Sequence, residues 1–306
     1  MREEQLTLRD GHRLFYRVWD TEGAKATLHI NHGMAEHSLR YDSLARFLNE
    51  HGYVVYAQDH RGHGYTCDED ERGWFAEKDG WSTVADDAFA LDERIAEDYP
   101  DLPHFLFGHS MGSFISRVCI ERHSRDYDGV IICGTGAHQG LIGKFGQIIA
   151  RSHVRKWNSR MRDPDLDNLA FSSYSRHFKG EGRFAWLSRD RSEVEKYEND
   201  PLCGFVCSSK FYDDLIELSN QANDRKRIEE IRKDLPIFII SGSDDPVGGY
   251  SKGIRKVYSL YKNAGLENVS MKLYEGARHE ILNETNRDEV YSDILSFYDG
   301  LMKRRK

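Results

Sequence analysis

The stretch His104-Phe105-Leu106-Phe107-Gly108-His109-Ser110-Met111-Gly112 sets how the rest of the chain is read. Its first residues are aromatic and aliphatic, a short buried-strand pattern, and Ser113 to Arg122 continues with helical character. A serine on such a strand-to-helix turn is forced into a strained backbone conformation, so the flanking positions must lack bulk. Gly108 and Gly112 meet that demand. The hydroxyl is then held above the strand end at a helix N-terminus, which makes Ser110 a candidate nucleophile.

Similar runs stand on either side: Thr27-Leu28-His29-Ile30-Asn31, Tyr53-Val54-Val55-Tyr56-Ala57, Val130-Ile131-Ile132-Cys133, Pro236-Ile237-Phe238-Ile239-Ile240 and Val269-Ser270-Met271-Lys272-Leu273-Tyr274. Near-continuous apolar runs of this length fit strands of a parallel sheet covered on both faces. Helical patterns from Tyr41 to His51 and from Asp86 to Tyr99 alternate with them, so the predicted class is α/β with a mostly parallel central sheet. Ahead of these, Gln5-Leu6-Thr7-Leu8 and Leu14-Phe15-Tyr16-Arg17-Val18 flank Asp10-Gly11, a hairpin expected to add an antiparallel edge. Residues 135–234 contain no sheet-like run and many charges, so they are read as a helical cap inserted between core segments 1–134 and 235–306. Within the cap, Leu141, Phe145, Ile148 and Ile149 share a helical face, and Phe184, Trp186 and Leu187 form a second apolar cluster. Either group is expected to pack the cap onto the core or to line an apolar pocket.

A serine is a weak nucleophile until a base takes its proton, and the base needs a carboxylate to orient it. The turn after the strand ending at Ile240 reads Ser241-Gly242-Ser243-Asp244-Asp245-Pro246, and the turn after Tyr274 reads Glu275-Gly276-Ala277-Arg278-His279. Both lie beyond strand carboxyl ends, where sites of such sheets form. The chain order is thus Ser110, an aspartate, His279, with Asp244 and Asp245 both open as the acid. Attack on an acyl carbon also needs two backbone N–H groups for the oxyanion, one after the nucleophile and one from the loop after the third strand. Those are Met111 and Met34.

These motifs resemble the α/β-hydrolase superfamily, in particular its monoacylglycerol lipase and lysophospholipase-like branch, the S33-type hydrolases. Gly242-Ser243-Asp244-Asp245 is similar to that branch's Gly-Ser-x-Asp acid turn, which implies Asp245 as the acid. His32-Gly33-Met34-Ala35-Glu36-His37-Ser38-Leu39-Arg40-Tyr41 resembles its His-Gly-x-x-Glu-His-x-x-Arg-Tyr segment. Asp59-His60-Arg61-Gly62-His63-Gly64 resembles its Asp-x-x-Gly-His-Gly turn, with Thr66 where serine is commoner, and implies scaffolding roles for His60 and His63. Glu36, Arg40 and Glu284 are expected to form ion pairs beneath His279.

The 306 residues carry 43 Lys+Arg against 51 Asp+Glu, a net charge of -8, so no chain-wide cationic field draws the protein to nucleic acid. The opening Met1-Arg2-Glu3-Glu4-Gln5 is polar, no apolar run approaches a membrane span, and Cys67, Cys119, Cys133, Cys203 and Cys207 show no metal-ligand or disulfide spacing. A cytoplasmic protein without metal or cofactor is expected, with at most transient membrane-surface contact; the basic end Lys303-Arg304-Arg305-Lys306 is read as a solvated terminus. The expected activity is hydrolysis of fatty-acid carboxylic esters, monoacylglycerols or lysophospholipids. A short-chain carboxylesterase, an aminopeptidase and a non-catalytic ligand receptor are the alternatives on the same scaffold. The dense cations Arg151, Arg155, Lys156, Arg160 and Arg162 leave the acyl length open.

Overall fold

A computed structural model describes residues 1–304. Eight strands form one sheet: β1 (Arg2–Thr7), β2 (Arg13–Trp19), β3 (Ala26–Asn31), β4 (Tyr53–Gln58), β5 (His104–His109), β6 (Gly129–Cys133), β7 (Ile237–Gly242) and β8 (Val269–Tyr274). Their spatial order is β1-β2-β4-β3-β5-β6-β7-β8. The β1/β2 and β2/β4 pairs are antiparallel and all others are parallel. The sheet is therefore that of an α/β-hydrolase, with the hairpin around Asp10-Gly11 on its edge.

Strand alternation divides the apolar runs between two layers. Leu106, Val130, Ile132, Ile237 and Ile239 face a core shared with α2 (Gly80–Asp98), α3 (Met111–His123) and α9 (Lys252–Asn263). Phe105, Phe107, Ile131 and Cys133 face the opposite core, built with α1 (Asp42–Glu50) and α10 (Arg287–Arg304). The helix read from Tyr41 resolves into a single 3-10 turn, Ser38–Tyr41, followed by α1. The helix read from Asp86 starts earlier, at Gly80. Its N-cap Asp79 has φ 51° and its side chain makes no capping hydrogen bond, so the usual start signal is absent from that turn.

Between β6 and β7 lie α4 (Gly140–Lys156), α5 (Pro164–Phe171), α6 (Arg191–Asn199), α7 (Ser209–Ala222) and α8 (Arg225–Glu230). Asp163, Asp190, Ser208 and Asp224 cap the last four of these with side-chain acceptors. The α4 face follows its reading only in part: Ile149 packs against the core and Phe145 reaches a cavity wall, while Leu141 and Ile148 do neither. Leu141, Phe145 and Ile148 are 83%, 66% and 66% exposed, and only Ile149 of the four packs against the core. Amphipathic spacing predicts an apolar face but not a partner for it. Trp186 and Leu187 are buried, and Phe184 packs beside them.

All five cysteines are free. Among the described residues no helix is long and apolar enough to cross a membrane. Of the basic terminal run, Lys303 and Arg304 lie in the last turn of α10, while Arg305 and Lys306 lie outside the described residues.

Candidate active site

Ser110 sits between β5 and α3 with φ 52° and ψ -119°, the strained conformation that a nucleophile turn imposes. The flanking glycines are sterically required. A Cβ on Gly108 would fall 2.4 Å from Gly112 O, and one on Gly112 would fall 2.1 Å from Asn31 O. The second contact seats the nucleophile turn against the end of β3, which leads into the loop carrying Met34. That loop is folded around Glu36, whose Oε1 accepts from Gly33 N–H at 2.5 Å and from Tyr41 Oη at 2.9 Å. Neither Met34 N–H nor Met111 N–H has a protein acceptor among the described residues, and both residues line the cavity that Ser110 opens on. Met111 N–H is the first amide of α3, one that a helix leaves unpaired.

His279 and Asp245 meet across two turns that approach closely because a Cβ on Gly242 would strike Ala277 O at 2.0 Å. His279 Nδ1 donates to Asp245 Oδ1 at 3.0 Å. A carboxylate only accepts, so the proton resides on Nδ1 and Nε2 keeps the lone pair that a base needs. Asp245 is fully buried and also accepts from Val247 N–H and Ser241 Oγ at 2.8 and 3.0 Å. Asp244 points to solvent. Ser110 Oγ makes no hydrogen bond to a protein group among the described residues, a gap that hydrolases commonly close only when an ester occupies the site.

Burial is the largest influence on His279 and disfavours its charged imidazole, but Asp245 together with Glu280 and Glu36 overcomes it and raises the histidine above its ordinary value. His109, whose ring centroid lies 4.7 Å away, is pushed down to about 4 by burial and then by His279. Of the pair, His279 is therefore the imidazole whose charged form is favoured. If His279 is the base, only its unprotonated form can accept the serine proton, so kcat/KM for a soluble ester should rise with pH through a midpoint above 6.5. A pH profile whose acidic limb falls below that value would contradict the Asp245 interaction.

The predicted ion pairs under His279 are rearranged. Arg40 bonds Glu36 at 2.7 Å and, through both terminal nitrogens, Glu280 at 2.6 and 2.7 Å, rather than Glu284. Glu284 is instead a buried hub between the histidine loop and the insertion. It accepts from Arg278 N–H (2.9 Å), Arg189 N–H (3.0 Å) and Arg189 Nε (2.8 Å). Glu280 follows His279 directly, yet no periodicity or spacing distinguishes it from Glu284. The turn beginning at Asp59 acts as scaffold: Asp59 accepts from Ser38 and Tyr65 amides, and His60 N–H donates to His32 Nε2 at 2.9 Å. Thr66 Oγ1 donates to Asp59 O and accepts from Phe15 N–H.

The insertion is stitched to the loop that carries His279. His279 N–H and Glu280 N–H donate to Trp186 O and Leu187 O at 3.3 and 2.7 Å, and the Trp186 ring lies 5.1 Å from that of His279. Above Ser110 is a cavity of about 910 Å³ walled by Phe114, Leu166, Phe171, Trp186, Phe205 and Leu215. Arg151, Arg155, Lys156, Arg160 and Arg162 do not line it. Arg151 pairs with Asp213, Arg160 with Glu71, and Arg162 with Glu69 O.

The profile of the serine aminopeptidase S33 family matches residues 22–286. The chain belongs to that family of α/β-hydrolases. It is 31% identical to the monoglyceride lipase of Mus musculus over 97% of this chain and 88% of the relative. It is 28% identical to the monoacylglycerol lipase of Mycolicibacterium smegmatis over 94% and 93%. A thermostable carboxyl esterase from Bacillus coagulans, solved with glycerol, superposes on this hydrolase with a TM-score of 0.91 and 29% identity, covering 98% of each chain. The enzyme thus lies in the monoacylglycerol lipase-like branch of the family.

Proposed function

We propose that this hydrolase cleaves fatty-acid carboxylic esters, monoacylglycerols foremost and lysophospholipids second, through an acyl-enzyme on Ser110. The observation that carries this is a nucleophile turn opening into a roughly 910 Å³ apolar cavity beside a buried Asp245–His279 pair. Ser110 Oγ attacks the ester carbonyl carbon while His279 Nε2 takes its proton. Met34 and Met111 N–H groups hold the oxyanion, each such donor being worth about 3 kcal/mol. His279 returns the proton to the departing alcohol, and a water activated the same way releases the fatty acid. Residues 135–234 act as the cap that walls the acyl chain. The names of the relatives support a glycerol ester as substrate.

The aminopeptidase alternative needs a carboxylate free to meet the substrate ammonium. Glu36, Glu280 and Asp167 reach the cavity wall, but Arg40 already engages the first two and Arg183 the third. Turnover of long-chain glycerol monoesters should therefore exceed that of amino-acid amides by orders of magnitude, measured as kcat/KM on a panel varying chain and head group separately. Faster cleavage of the amides would overturn the ester reading.

The exposed α4 face supports transient contact with a lipid surface. Leu141, Ile142, Phe145 and Ile148 stand out from the cap at the cavity rim, with Lys144, Arg151 and Arg155 beside them, the make-up of an interfacial helix. The double variant Leu141→Ser/Ile148→Ser should partition several-fold less onto anionic vesicles in a sedimentation assay while cleaving a soluble short ester normally. Unchanged partition would remove α4 from the interface. The five free cysteines support a reducing, cytoplasmic location.

A further inference from the structure

Where the insertion meets the oxyanion loop, three side chains from separate parts of the chain converge. His37 closes the loop that carries Met34, while Asp200 and Cys203 stand in the segment after α6. One ligand atom from each, an imidazole nitrogen, a carboxylate oxygen and the thiol sulfur, all lie within 4.8 Å of one another. His37 Nε2 is 2.9 Å from Asp200 Oδ2. The other ring nitrogen, Nδ1, is buried with no hydrogen-bond partner, and Cys203 is a free thiol. None of the three lines the cavity above Ser110.

We propose that His37, Asp200 and Cys203 form a binding site for a zinc-class divalent cation, and that its occupancy clamps the cap to the oxyanion loop and slows turnover. Nitrogen, sulfur and carboxylate donors together are the set that zinc and cadmium accept and that magnesium and calcium do not. Metal bonds of about 2.0–2.3 Å place neighbouring tetrahedral ligand atoms about 3.4–3.8 Å apart, so the 2.9 Å His37–Asp200 pair has to open by about 0.5 Å and the widest pair, at most 4.8 Å, to close by up to about 1 Å, with water in the fourth position. Arg40 is the strongest charged influence on Cys203, but it is shared between Glu36 and Glu280, so with Asp200 the cluster carries a net negative charge. Asp200 has 29% of its side chain exposed and provides the entrance. Burial holds the free thiol up and protonated. On binding, the Cys203 S–H bond breaks as the sulfur–metal bond forms and that proton passes to solvent, while the Nε2 proton that Asp200 accepts from His37 moves to the partnerless Nδ1, so affinity rises with pH.

The consequence for catalysis follows from position. Gly204 N–H and Tyr197 Oη already donate to Ala35 O at 2.9 and 3.0 Å, which places the clamp one residue from Met34. Tying His37 to Asp200 and Cys203 would stiffen the same junction, which must give way for substrate entry and product release.

The site is tested on the purified full-length protein with Cd2+, whose bond to a thiolate produces an ultraviolet charge-transfer band. Wild type should develop that band at one equivalent and Cys203→Ala should lose it, with Cys203→Ser as a second variant and melting curves as the check on folding. Asp200→Asn should weaken Zn2+ binding by about tenfold or more. Saturating Zn2+ should lower wild-type turnover of a soluble ester by roughly fivefold or more, reversibly with chelator, and leave Cys203→Ala untouched. Absence of the band in wild type, its persistence in both Cys203 variants, or equal Zn2+ inhibition of Cys203→Ala would overturn the proposal. The band is read without substrate, so its failure leaves the ester-hydrolase reading standing, and an inactive protein that shows the band leaves the metal site standing.

Discussion

Ser110→Ala is expected to lower kcat for a glycerol monoester by about a millionfold, with substrate binding and fold retained. The side chain has no protein hydrogen bond to lose among the described residues, so the truncation leaves the β5–α3 turn in place. Alanine tolerates φ 52° no better than serine does, and the glycines at 108 and 112 still keep the turn clear of Asn31 and Ser116. What disappears is the oxygen proposed to form the acyl-enzyme. The Met34 and Met111 amides remain and, as the proposed oxyanion donors, would account for residual rate. The measurements are steady-state hydrolysis and labelling by a fluorophosphonate probe. Activity within tenfold of wild type, or labelling of the variant at another residue, would remove Ser110 from the mechanism.

Asp245→Asn is expected to cost about 10⁴ in kcat while Asp244→Asn stays near wild type. Asp245 Oδ1 receives the Nδ1 proton of His279, and the other oxygen receives Ser241 Oγ. An asparagine can keep one of these by presenting its carbonyl there. Its amide nitrogen then faces either the serine hydroxyl or the imidazole. When it faces the imidazole, donor meets donor, and the ring responds by moving its proton to Nε2, where it can no longer accept from Ser110. Asp244 touches only Ser243 Oγ from an exposed turn, so its charge is dispensable. The pH profile separates loss of the base from loss of fold: a folded Asp245→Asn enzyme should shift its acidic limb downward, since the carboxylate that raises His279 is gone. Equal losses in the two variants would show that the acid is not assigned by this hydrogen bond.

Much of this architecture is written in local patterns. The parallel strands, the edge hairpin and the nucleophile turn are legible because each depends on a few adjacent residues: apolar runs for buried strands, Asp10-Gly11 for the hairpin, paired glycines around Ser110. The order of serine, aspartate and histidine along the chain is equally visible, since each follows a strand whose carboxyl end opens on the same edge of the sheet.

Other features depend on packing between segments far apart in sequence, and no local pattern encodes them. Asp244 and Asp245 share one turn, and only the approach of the Ala277–His279 loop over Gly242 decides which carboxylate is buried against the imidazole. Arg40 reaches Glu280 and not Glu284 because the hub at Glu284 is taken by Arg189 from the insertion. The apolar spacing of α4 specifies a helix with one greasy side, but whether that side meets protein or solvent depends on where α7 lies. The structure turns Leu141 and Ile148 outward. Sequence settles backbone preference within a few residues, where sterics and hydrogen bonding are local. Side-chain partnership is settled only when the sheet order brings distant turns together, as it does for Asp245 with His279 and for Arg40 with Glu280.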